Sequence, residues 1–113
     1  MDTPMKYQTV IKQLLQSYHE FLSDEQANLR LLFDDERGEY ALLDFGWRDK
    51  RYDHYAVLHV EVIADKIWIQ CDNTERGIAS EFVAMGVPKE KIVLGFRQPE
   101  LRPYTGFGVG EVA

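Results

Sequence analysis

The side chains best suited to metal binding or nucleophilic chemistry are few: His19, His54, His59 and the single cysteine, Cys71. They do not fall in His-Glu-x-x-His or Cys-x-x-Cys spacing. His54 and His59 lie an odd number of residues apart in one extended run, which places them on opposite faces of a regular strand. The register derived below turns Cys71 toward the core and His59 away from it, so Cys71 reads as a small buried hydrophobe. Carboxylate pairs such as Glu61 with Asp72, or Asp34 with Asp44, have the composition of an acid and a base. With 19 Asp and Glu in 113 residues, such pairs arise by chance and read as solvated surface. Gly106-Phe107-Gly108-Val109-Gly110 has the look of a phosphate cradle, but a cradle must lead into a helix N-terminus, and this run reads as an irregular tail. The expectation is no catalytic residue, no metal and no cofactor. A small hydrolase using His59 and nearby acids ranks third among the functional readings.

Residues 74–96 invite comparison with a helix-turn-helix: an apolar helix, Gly86 at the turn, then Lys89 and Lys91. Phe82, four residues before the glycine, is too large for that tight helix crossing, and the second segment runs into Ile92-Val93-Leu94-Gly95. The whole chain carries 13 Lys and Arg against 19 Asp and Glu, a net charge of −6, so strong direct binding to nucleic acid is not expected. A helix-turn-helix-like DNA-binding regulator is the second reading. One cysteine, no basic leader running into an apolar stretch, and no run of about 18 apolar residues predict a cytoplasmic protein without a membrane span.

The elements that would position these groups form a single α+β domain over residues 1–113. Tyr7, Val10, Ile11, Leu14, Leu15, Tyr18, Phe21 and Leu22 make the stripe of an N-terminal helix starting at Pro4, with Thr3 as its cap. The period then changes to two, and runs 27–34, 39–47, 52–64 and 67–71 predict an antiparallel four-stranded meander. A turn at Asp65-Lys66 sets Val62 against Ile69 and Val60 against Cys71 on the core face. A loop over 48–51 sets Phe45 against His54, Leu43 against Ala56 and Ala41 against Leu58 on the same face. A loop over 35–39 pairs Phe33 with Ala41 and places Arg30 opposite Asp44. Asp72, with Glu75 three residues on, is expected to cap a second helix through Ile78, Ala79, Phe82 and Val83, ended by Gly86 ahead of Pro88. Ile92-Val93-Leu94 predicts a short fifth strand, and the glycines and prolines beyond it an irregular C-terminal tail.

With both helices on one sheet face, the other face collects Leu32, Tyr40, Leu42, Tyr55, Val57, His59, Ile63, Trp68 and Gln70. That set is too apolar for plain solvent and too polar for a closed core, the composition of a protein interface. The competing reading is that the tail folds back over it.

Residues 67–79, Ile-Trp-Ile-Gln-Cys-Asp-Asn-Thr-Glu-Arg-Gly-Ile-Ala, and 86–96, Gly-Val-Pro-Lys-Glu-Lys-Ile-Val-Leu-Gly-Phe, carry a family resemblance. Gly46-Trp47, Val57-Leu58-His59 and Arg102-Pro103-Tyr104-Thr105 support it. Together they resemble the XisI-like family, the fdxN-element excision controlling factors of cyanobacteria, over nearly the whole chain. At the third hairpin this chain has Ala64-Asp65-Lys66 where relatives have Asp-Gly-Lys. The resemblance implies an accessory role in programmed excision of a DNA element during heterocyst differentiation, beside a site-specific recombinase and a nuclease-like partner, XisH. It supplies no catalytic residues, and Asp72, Thr74, Glu75, Gly77, Gly86 and Pro88 are equally explained as a strand-to-helix junction. The leading expectation is thus a non-enzymatic factor acting through protein contacts, with the second sheet face as its XisH-contact or homodimer surface.

Overall fold

The computed structural model describes residues 6–23 and 28–109. Helix α1 (Tyr7–Leu22) leads into strands β1 (Leu29–Asp34), β2 (Glu39–Arg48), β3 (Arg51–Ile63) and β4 (Lys66–Asp72), then helix α2 (Ala79–Ala84) and strand β5 (Ile92–Leu94). Single 3-10 stretches fill Lys89–Lys91 and Pro99–Tyr104. The strands lie in sequence order; the first four pair antiparallel, and β5 runs parallel to β4 because the chain returns through α2 before pairing. The α+β architecture matches the expected one. The expected cap Thr3 and first helical residue Pro4 lie outside the described residues.

Both helices pack on one face. Ile11, Leu14 and Leu15 of α1 and Ile78 and Phe82 at α2 share one buried cluster with Tyr40, Leu42, Leu58, Val60, Ile67 and Ile69. Burying each such side chain stabilises the fold by about 1.5–3 kcal/mol, before the entropy of ordering it is subtracted. The Tyr18 hydroxyl donates to the Glu81 carboxylate, tying the two helices together.

The register departs from the expected one at four places. The first hairpin closes one residue earlier, with Phe33 opposite Tyr40 and Leu31 opposite Leu42; Gly38 supplies the left-handed backbone of the turn (φ +67°). A slip of one residue exchanges the faces of β2, so Tyr40 and Leu42 enter the core and Ala41, Leu43 and Phe45 leave it. In β3, Val57 is an extra residue: Leu43 pairs with Ala56 but Leu42 with Leu58. This bulge lets consecutive Val57 and Leu58 both be buried, and it inverts the alternation along the strand.

At the third hairpin the two turn residues are Ala64 and Asp65, both left-handed (φ +50° and +65°), with Ile63 opposite Lys66. That is primed-turn geometry, favoured because its twist matches the strands, and it occupies the Asp-Gly positions of the resemblance rather than Asp65-Lys66. Moving the turn by this amount shifts the pairing by two, so Val60, Val62, Ile67 and Ile69 keep the core face. A second bulge at Gln70 then puts Cys71 directly opposite His59. Cys71 therefore does not face the core as expected.

Candidate functional site

The face of the sheet away from the helices is built from alternate residues of four strands. Leu32 of β1, Ala41, Leu43 and Phe45 of β2, His54, His59, Glu61 and Ile63 of β3, and Trp68 of β4 lie on it. Leu32 is 54% exposed and Ile63 41%, while Ala41, Leu43 and Phe45 between the strands are half-buried. Arg30 sits with its guanidinium over the Phe45 ring, 5.1 Å from its centroid, and His54 approaches the other side at 5.8 Å. Toward the hairpin tip, Trp47 and Tyr52 meet at 5.3 Å and are both exposed.

The nine residues expected on this face divide. Leu32, His59, Ile63 and Trp68 lie on it. Tyr40, Leu42 and Val57 are corrections: all three are buried under the helices, the first two through the hairpin slip and the third through the bulge it forms. Tyr55 is exposed but shares the opposite side with Asp44, to whose carboxylate its hydroxyl donates at 3.1 Å. Gln70 occupies the bulge, its side-chain amide against Gly95, where a Cβ would come within 2.5 Å of Oε1. The Val57 bulge also brings His54 and His59 to the same face, against the expectation from simple alternation.

Among the described residues, the tail covers the β4–β5 side of this face. Arg102 stacks its guanidinium on the Trp68 ring at 5.1 Å and donates to the carbonyls of Arg97 (3.1 Å) and Gly95 (3.3 Å). Gly108 bridges to Val93 of β5. Buried Arg102 is a residue the sequence reading missed as a contact, although the Arg-Pro-Tyr-Thr run flagged its neighbourhood. The expected ion pair of Arg30 with Asp44 is replaced as well. Asp44 binds Arg48 through both oxygens (2.7 and 2.8 Å), and Arg48 also reaches Asp53 at 3.1 Å. Arg48 stays fully charged between these two carboxylates, and Arg51 and Arg48 hold Asp53 below the ordinary carboxylate range.

The junction after β4 is organised by Asp72. Its Oδ1 accepts from the Thr74 amide (3.0 Å) and hydroxyl (2.6 Å), and its Oδ2 from the Ile78 amide (2.7 Å). Thr74 Oγ1 accepts in turn from Gly77 N at 3.1 Å, and Gly77 takes a left-handed φ of +81°. The expected capping box does not form, because α2 begins at Ala79 and Glu75 lies too far ahead of it. Glu75 instead lines a cavity of about 720 Å³ with Tyr18, Phe21, Val57, Thr74 and Glu81. Gly86 ends α2 as expected, the Val87 amide bonding back to Phe82 O at 3.0 Å ahead of Pro88. A helix-turn-helix does not form here: Lys89–Lys91 is one 3-10 turn that enters β5.

Chemistry on the face is limited by what lies near His59. The pairing sets it between Glu39 and Glu61, with Nε2 3.7 Å and 4.0 Å from their carboxylate oxygens. Strand-by-strand spacing did not show this grouping, because Glu39 joins it only across the hairpin. Cys71, opposite His59, is a poor nucleophile: burial and the Asp72 charge push its thiol up, and its Sγ donates to Ala56 O at 3.4 Å. No helix among the described residues is long and apolar enough to cross a membrane.

Residues 1–109 match the family model described as XisI protein. A XisI-like protein from Anabaena variabilis shares 39% identity over 92% of this chain and 96% of its own, with a TM-score of 0.87. The fdxN element excision controlling factor XisI from the same organism shares 29% identity over the same shares of each chain, with a TM-score of 0.83. No curated protein matches.

Proposed function

The chain belongs to the XisI family, and from that premise we propose that it is a non-enzymatic controlling factor for excision of a DNA element, acting by contact with a XisH-like, nuclease-related protein beside a site-specific recombinase. The observation that carries this reading is the half of the sheet that the described residues leave open. Leu32 and Ile63 are exposed there, flanking Ala41, Leu43 and Phe45, and polar groups surround them. An apolar centre with a polar rim is what a partner surface needs, and aromatic and Arg side chains such as Phe45, Trp47 and Arg30 are the usual anchors. DNA held directly would need positive charge. The net −6 and the carboxylates of Glu39 and Glu61 on this face work against it.

The test is co-purification of this chain with a XisH-like protein, repeated with Leu32→Asp and Ile63→Asp. Exposed Tyr104→Asp, on the C-terminal 3-10 stretch, serves as control. The expected result is a complex that the first two changes abolish and the third leaves intact, with circular dichroism unchanged. If no complex forms, or if both open-face variants bind as the parent does, the reading is wrong. Light scattering on the same samples distinguishes a homodimer on this face.

A further inference from the structure

Most carboxylates along the sheet have a cationic partner. Asp34 has Arg37, Asp35 has Lys12, Asp44 has Arg48, and Asp53 has Arg48 and Arg51. Glu39 and Glu61 differ. They are direct cross-strand partners, an arrangement of like charges that costs stability, and among the described residues neither forms an ion pair with Lys or Arg. What they share is one imidazole. His59 lies two residues before Glu61 on the same face of β3, and the ligand atoms of all three side chains come within 4.8 Å of one another.

We propose that Glu39, His59 and Glu61 bind a divalent first-row transition metal ion on the open face of the sheet. The ligand set, one imidazole nitrogen and two carboxylates, is of a kind that Zn²⁺ and its neighbours accept, and three protein ligands leave room for water or a partner's side chain. In a tetrahedral site with bonds of about 2.0–2.2 Å the donor atoms stand about 3.4 Å apart. The His59 to Glu39 and His59 to Glu61 distances are 3.7 and 4.0 Å and all donor atoms lie within 4.8 Å of one another, so rotation of the three side chains draws the site closed. Paired strands hold the three Cα positions next to one another. The side chains are 46%, 35% and 23% exposed for Glu39, His59 and Glu61, which leaves an entry path from solvent. The ion would also relieve the like-charge opposition that the fold otherwise leaves in place.

The experiment is calorimetric titration of the metal-free full chain with Zn²⁺, with the visible spectrum of added Co²⁺ as a second readout of coordination. The wild type is expected to bind one ion per chain. His59→Ala and the near-isosteric Glu61→Gln are each expected to weaken binding at least about tenfold, since even outer-shell partners of metal ligands cost that much. His19→Ala and His54→Ala are expected to leave affinity unchanged. Absence of saturable binding overturns the proposal, as does binding that survives His59→Ala or is lost with His19 or His54. Because the titration uses the isolated chain, its failure leaves the partner-contact reading standing, and loss of partner capture does not touch this one.

Discussion

Val60 and Glu61 are neighbours in the chain and point to opposite sides of one strand, and the two sides have different work. On Val60's side, side chains from α1, α2 and all five strands interlock with no exposed atoms at Tyr40, Leu58, Ile67 or Phe82. On Glu61's side, among the described residues, an apolar strip of Leu32, Ala41, Leu43, Phe45 and Ile63 is left open and the β4–β5 end is roofed by Arg102 and the tail. The covered side holds the fold together. The open side keeps a half-buried to exposed apolar strip, the composition that the proposed contact would use.

Substitutions separate the two sides by size of effect. Ile69→Ala, in the covered core, is expected to cost about 2–5 kcal/mol in urea unfolding, because it deletes buried carbons and leaves a cavity. Asp72→Ala is expected to cost about 1–3 kcal/mol in the same measurement, since the Thr74 and Ile78 amides lose their shared acceptor. The pair Tyr18 and Glu81 adds a pH signature. Burial first, then the hydrogen bond to Glu81, push Tyr18 up to about 12. The fold therefore favours the neutral phenol. Its contribution is complete below the free tyrosine value of about 10 and is lost as pH rises toward 12. Phenolate absorbance should show Tyr18 in a late-titrating set that also holds buried Tyr40, and Tyr18→Phe should remove amplitude from that late set; a loss from the early set instead contradicts the assignment. Smallest of all, Leu32→Asp on the open side is expected to change stability by no more than about 0.5 kcal/mol. A loss of several kcal/mol there would mean the strip is part of the core.

Much of this division was legible in residue order, and the exceptions have physical causes. The stripe from Tyr7 to Leu22 and the alternation around Val60, Val62, Ile67 and Ile69 place their elements and faces correctly, because repeated apolar spacing outweighs uncertainty in any one turn. Tyr40 and Leu42 went to the wrong face because register is inherited from the turn. A loop shorter by one residue, with Gly38 in a left-handed conformation, reverses every side chain of β2 relative to the expectation. Val57 and Gln70 are bulges, which strict alternation excludes. The adjacent apolar residues Ala56-Val57-Leu58 were the available sign of the first. The Glu39, His59 and Glu61 grouping stayed hidden for the same reason, as it depends on the register across β2 and β3.

The central claim, that the open side is the contact surface, is tested most directly by backbone amide hydrogen exchange of this chain with and without a XisH-like protein. The account predicts new protection in β1 and in Ala41–Phe45 of β2, with α1 and α2 exchanging as in the free chain. Protection confined to the helices, with β1 and β2 unchanged, would contradict it.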